Sequence, residues 1–324
     1  MKRMIALAAL ALTLPAWAED EPVTPNSIVA AAPAADWAAI DPADLLVMDL
    51  APDRDGNPRR VVIQLIPAPF SQGWVGNIRT LAKAHWWDGT SINRVQDNYV
   101  VQWGDVTEKK ALPDGLRVVP ESEYVATTTP RNLCDRDVCM RTPSPVDAWF
   151  QYISDDNYAG SYSIGFGSGW PLAFNGGRYA SNDKAWPIHC YGMVGVGRNV
   201  SPDTGTGAEL YTVIGHAPRQ LDRNIALVGR IIEGMENLSS LPRGKGELSF
   251  YTDEESEKRV PILSVRLATQ LPDDERPHFE YRAADNERFA AWIKVRENRQ
   301  PPFFAVPSGG ADICNAQAPV RRVQ

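Results

Sequence analysis

The chain has 324 residues, 44% of them hydrophobic, and a formal net charge of -7. This is too long for one small domain but suits one elaborated domain with a real core. The acidic balance argues against nucleic acid or an anionic membrane as partner. At the amino terminus Lys2 and Arg3 precede an apolar run from Met4 to Leu14, and Ala16-Trp17-Ala18 has the small-x-small form of a signal peptidase site, so residues 1–18 read as a secretory signal. The rival reading is an uncleaved anchor, but a membrane span needs roughly 20 apolar residues. The expectation is an exported protein, periplasmic in a Gram-negative cell. Residues 19–36 are rich in Ala, Pro and acidic side chains without an apolar period and read as a flexible lead, with structure starting near Trp37. Leu45–Leu50 and Arg60–Ile66 read as strands joined through Asp53-Arg54-Asp55-Gly56-Asn57, whose residues suit a hairpin turn. Trp74, Ile78 and Leu81 then recur at helical spacing, predicting an amphipathic helix over roughly Gln72 to His85.

Next comes Asp88-Gly89-Thr90-Ser91-Ile92-Asn93-Arg94-Val95, followed by Gln96-Asp97-Asn98-Tyr99-Val100-Val101-Gln102-Trp103-Gly104-Asp105. This stretch resembles the cyclophilin segment Y-D-G-T-x-F-H-R-V-I-P-G-F-M-x-Q-G-G-D. A second block, from Gly192-Met193-Val194 to Gly229-Arg230-Ile231-Ile232-Glu233-Gly234-Met235, resembles the family's G-x-x-S-M-A … G-S-Q-F-F … W-L-D … V-F-G-x-V-x-x-G-M. The resemblance implies a closed eight-stranded antiparallel barrel capped by two helices, over residues 37–270. It also implies a peptidyl-prolyl cis-trans isomerase acting on proline-containing polypeptides, with no cofactor and no metal.

Between the blocks, about 106–190, the resemblance stops and the turn-rich sequence reads as a long irregular insertion. The run Gly165-Phe166-Gly167-Ser168-Gly169-Trp170 lacks the Lys-Ser or Lys-Thr of a nucleotide loop, and Phe166 and Trp170 occupy the positions a hydrolase elbow gives to glycine. Val260–Leu267 reads as the closing strand. Asp285–Arg299 reads as a helix with an Asp cap candidate, within a carboxy-terminal helical extension over 271–324.

By resemblance Arg94 is the catalytic arginine and Gln102 supports it. Tyr99, Val100, Tyr211 and Leu221 form the proline pocket, and Gly197, Arg198 and Glu209 line the groove beside it. The sequence departs from the family at Glu209 (usually Gln), Arg198 (usually Asn), Gln220 (Trp in animal members) and Ile225 (often His). The paired charge changes predict an Arg198–Glu209 ion pair that narrows the groove. The four histidines, His85, His189, His216 and His278, are scattered and read as structural.

Four cysteines in an exported chain favour disulfides over a zinc site, and no His stands at ligand spacing near them. Sequence does not separate the three connectivities. The favoured one closes a tight loop between Cys134 and Cys139 and leaves Cys190 to tie Cys314 and the tail to the body. The function expected is isomerisation of X-Pro bonds during folding of exported proteins. Its rival is a catalytically weak cyclophilin-like binding module for an envelope partner, and the oligomeric state is open.

Overall fold

The computed structural model describes residues 23–128, 162–175 and 183–323, so the expected signal and the Cys134–Cys139 pairing lie outside the described residues. The chain enters through a short helix, Pro25–Ala30, and then β1 (Trp37–Ala39), β2 (Leu45–Leu50) and β3 (Arg59–Leu65). After the helix Gln72–Lys83 come β4 (Ser91–Val95) and β5 (Val100–Gly104). Next are β6 (Ala126–Thr128), β7 (Tyr162–Gly167), β8 (Trp170–Asn175) and β9 (Asp183–Pro187). The strands β10 (Met193–Val196), β11 (Leu210–Val213), β12 (Leu227–Glu233) and β13 (Ile262–Leu267) follow, and last β14 (His278–Arg282) and β15 (Val320–Val323).

Eight strands make one antiparallel sheet in the order β13-β2-β3-β12-β10-β11-β5-β4. Its two edges meet at the Ser91–Pro261 bridge, and Ile92 N donates to Val260 O at 2.9 Å, so the sheet curls into a nearly closed barrel. Alternation along β2 shows how the layers are built. Leu46, Met48 and Leu50 enter the barrel core, whereas Leu45 and Val47 face outward into a second apolar cluster with Ile40, Val62 and Phe279. Strands that are apolar on both faces need a cover, and the sheet β1-β14-β15 supplies it.

The helix Gln72–Lys83 buries Trp74, Ile78 and Leu81 completely, each worth roughly 1.5–3 kcal/mol relative to exposure. It stops two residues before the predicted end because His85 adopts the left-handed conformation (φ 56°) that terminates a helix. The single turn Glu236–Ser239 is the second helical element against the barrel, inserting Leu238 into the core.

Three expectations about the periphery change. Residues 23–36 are not a loose lead: Thr24 and Ser27 form a reciprocal cap on Pro25–Ala30, and the buried Asp36 carboxylate pairs with Arg282 at 2.7 Å and with Arg288. A capped turn and one buried charge order this stretch without an apolar period. The insertion is not wholly irregular either, because β6-β9-β8-β7 form a four-stranded antiparallel sheet. The glycine run is its hairpin turn: Ser168 and Gly169 have φ of 50° and 73° between paired Gly167 and Trp170. Phe166 of this sheet packs edge-on against Phe289, ring centroids 5.2 Å apart, which joins the insertion to the helix Glu287–Glu297. Third, Asn286 caps that helix, its Oδ1 accepting from Phe289 N at 3.0 Å, where an Asp was expected. The extension also carries strands β14 and β15, and Cys190 is disulfide-bonded to Cys314.

Candidate active site

The nine residues singled out for catalysis and substrate binding all line one open groove of about 620 Å³ on the outside of the barrel wall. The wall itself sets their order. Arg94 on β4 pairs with Gln102 on β5, Gln102 with Tyr211 on β11, and Tyr211 with Gly195 on β10, one row across four strands.

Simple alternation would send Arg94 into the core with Ile92, two residues before it. A register shift between Ile92 and Arg94 prevents this: Ile92 is fully buried in the barrel, while Arg94 turns out into the groove. Three of its guanidinium nitrogens are then fixed. Nε donates to Leu248 O at 2.7 Å, one terminal nitrogen to Gln102 Oε1 at 3.2 Å, and the other to Gln96 Oε1. The cation lies 5.3 Å from the Phe250 ring centroid and 5.7 Å from that of Tyr99. A guanidinium has five N–H groups, so donors remain for a ligand. Burial lowers its pKa from the ordinary arginine range. Leu248 and Ser249, both non-glycine residues at positive φ (50° and 63°), form the turn that aims the Leu248 carbonyl. Such conformations cost about 1–3 kcal/mol each and concentrate at working sites.

Beside Arg94 sits a satellite apolar cluster separate from the core: Val100, Tyr211 and Val213, flanked by Tyr99, Leu221 and Ile225. In the tight β4–β5 connection Asn98, at φ 50°, lets Tyr99 swing onto the same side as Val100. Val101 meanwhile points into the core. Gly195 permits the floor, because a Cβ there would lie 2.3 Å from the Tyr211 hydroxyl.

The predicted Arg198–Glu209 ion pair is not formed. Arg198 donates to the carbonyls of Asn224, at 2.8 and 3.1 Å, and Asn199, at 2.6 Å. Glu209 instead folds its carboxyl over Gly104, where a Cβ would stand 1.8 Å from Oε1, and accepts from Asp105 N at 2.8 Å. Backbone partners near each side chain satisfy both, which a reading of charges along the sequence cannot anticipate. Burial pushes the Glu209 carboxyl up to about 7, against the hydrogen bonds from Asn93, Asp105 N and Gln102 that pull it down.

Sequence reasoning missed Gln96, Leu248 and Phe250, which hold Arg94, and His189, which lies under the pocket. His189 had no motif to mark it. Asp222, its partner, stands at the D of the quoted W-L-D pattern, a signal that was present but unused.

A fixed cation with spare donors beside an apolar pocket, with Gln102 bridging the two, is an arrangement that can bind a proline ring and polarise the amide next to it without proton transfer. No curated protein matches the chain. Among solved structures, cyclophilin AquaCyp293 from Hirschia baltica matches with a TM-score of 0.62 at 20% identity, covering 89% of this chain and 94% of that one. A Cryptosporidium parvum cyclophilin type peptidyl-prolyl cis-trans isomerase, crystallised in the presence of the dipeptide Ala-Pro, matches at 9% identity and a TM-score of 0.36, covering 68% of this chain and 98% of that one. The family described as cyclophilin type peptidyl-prolyl cis-trans isomerase matches residues 58–267, more than half of the chain. The barrel, the groove and this match together place the chain in the cyclophilin type peptidyl-prolyl cis-trans isomerase family.

Proposed function

We propose that this isomerase accelerates X-Pro isomerisation in proteins exported to the periplasm, with Arg94 as the catalytic residue. The observation that carries the reading is the tethered guanidinium of Arg94 beside the Tyr99, Val100, Tyr211 and Leu221 pocket. Twisting an X-Pro bond sacrifices amide resonance across a barrier of about 20 kcal/mol. As the bond twists, the proline nitrogen becomes pyramidal and gains a lone pair, and a donor aimed at it or at the flanking carbonyl stabilises the twisted state more than either planar one. Gln102 keeps the guanidinium plane in register, and the apolar pocket grips the ring while the flanking chain rotates. Gly197, Arg198 and Glu209 border the flanking residues and set which of them the groove accepts.

Export is supported by the basic start, short apolar run and Ala16-Trp17-Ala18 pattern of residues 1–18, and by the Cys190–Cys314 bond, which suits an oxidising compartment. Expression in a Gram-negative host with mass analysis of the product tests this: the expected mature protein begins at Glu19 and is released with the periplasmic fraction. A full-length cytoplasmic product would overturn the assignment. Exchange spectroscopy on a panel of X-Pro peptides tests the activity. Tight binding without acceleration would favour the binding-module reading, for which the replaced groove residues Glu209 and Arg198 are the specific motive.

A further inference from the structure

Under the proline pocket lies a buried polar chain that the family chemistry does not require. The Tyr211 hydroxyl is 3.1 Å from His189 Nε2, His189 Nδ1 is 2.9 Å from Asp222 Oδ1, and Asp222 Oδ2 accepts from Arg219 Nε. The His189 side chain is 1% exposed and Asp222 6%. The same Asp222 Oδ1 also accepts from the His189 backbone N at 3.0 Å.

A carboxylate can only accept, so Nδ1 carries a proton; in the neutral imidazole Nε2 then presents its lone pair to Tyr211. Burial holds the Tyr211 hydroxyl well above its usual range, so it stays protonated and donates to Nε2. The floor of the pocket is thereby tied through His189 to Asp222, which closes the turn carrying the pocket wall, Leu221. From behind, the 189–191 segment is anchored to the extension by the Cys190–Cys314 bond and by Gln317 Nε2 donating to Tyr191 O at 3.0 Å.

We propose that His189 is a positioning residue of this isomerase: by accepting from the Tyr211 hydroxyl while held by Asp222, it keeps floor and wall of the proline pocket in one arrangement, braced by the carboxy-terminal extension. It touches no substrate. A buried tyrosine hydroxyl left without a partner would turn its ring to find water or another acceptor.

The inference rests on the isomerase reading for the identity of the ligand, and the experiment separates the two. Binding of an Ala-Pro-containing tetrapeptide and the exchange rate of its X-Pro bond are measured for wild type, His189→Leu and His189→Leu/Tyr211→Phe, with thermal stability followed in parallel. His189→Leu should weaken peptide binding about tenfold, the scale of one unmade buried hydrogen bond. Adding Tyr211→Phe, which removes the orphaned hydroxyl, should recover at least threefold of that loss even if the melting temperature stays low. Should His189→Leu not fold, the isosteric Asp222→Asn with and without Tyr211→Phe asks the same question, with the same rescue expected at smaller amplitude. Binding within twofold of wild type in the first variant, or no rescue by Tyr211→Phe, overturns the inference. A wild type that binds and shows the rescue but never accelerates exchange overturns the isomerase reading and leaves the positioning role standing. A wild type that binds no X-Pro peptide overturns both.

Discussion

Replacing Glu209 by Gln tests the electrostatics of the groove in a way the structure makes quantitative. The carboxyl is pushed from 4.5 up to about 7, first by burial. An acid with a raised folded-state pKa holds its proton more tightly in the fold than in the unfolded chain. Its contribution to stability is therefore fully present below pH 4.5 and is lost as pH rises through about 7. At about 1.4 kcal/mol per unit, the loss across that window is on the order of 3 kcal/mol. Glu209→Gln keeps an acceptor for Asp105 N and cannot ionise. Urea unfolding of both proteins should show a stability difference in favour of the variant that grows between pH 4.5 and about 7 and is constant above it. In the same window the groove acquires a negative charge, so the wild type should come to prefer a cationic over a neutral residue beside the proline, and the variant should not. A difference in stability that is flat with pH would refute the burial of this carboxyl and the groove geometry built on it.

Because Arg198 and Glu209 bind separate backbone partners, a double-mutant cycle of Arg198→Asn and Glu209→Gln on peptide binding should be additive within about 0.5 kcal/mol, and a larger coupling would restore the ion pair rejected above. Arg230 is a buried cation with no carboxylate partner among the described residues, held by Gln64 Oε1 at 2.8 Å and Gly169 O at 2.9 Å and stacked 4.6 Å from the Trp170 centroid. Arg230→Ala should destabilise the chain by at least about 3 kcal/mol in denaturant unfolding, since it opens a cavity and strips partners at the joint between barrel and insertion sheet. Cys190→Ser combined with Cys314→Ser should cost about 2–4 kcal/mol, read the same way, because it frees a long loop in the unfolded chain.

Much of this molecule is legible in the sequence, and where it is not the reasons are physical. The barrel strands announce themselves through runs such as Leu45–Leu50, and Arg94 and Gln102 stand in a pattern specific enough to place both in one groove. What the sequence hides is backbone geometry. The irregularity between Ile92 and Arg94 turns the arginine outward, and nothing in the letters Ser91 to Val95 marks it. Leu248, at positive φ, offers its carbonyl to Arg94 from 154 residues away, a contact that closure of the barrel creates. Arg198 and Glu209 invite pairing by charge, yet each finds a nearer backbone partner. The apparent looseness of residues 23–36 reflects the lack of an apolar period, while the segment is held by a cap and by one buried carboxylate, Asp36, whose partners lie about 250 residues further on. His189 reads in the sequence as one of four scattered structural histidines, because its partners, Tyr211 and Asp222, are distant along the chain and adjacent only in the fold.

The central claim is that Arg94 stabilises the twisted amide, and Arg94→Ala measures it most directly. Exchange spectroscopy on an X-Pro tetrapeptide should show the catalysed rate falling about 10²- to 10³-fold, the usual cost of one donor made strongest in the transition state. Peptide affinity should fall far less, since Tyr99, Val100, Tyr211 and Leu221 remain in place. Arg94→Lys should not restore the rate, because an ammonium lacks the planar fork that Leu248, Gln96 and Gln102 orient. An Arg94→Ala protein that isomerises the peptide at the wild-type rate would contradict the account.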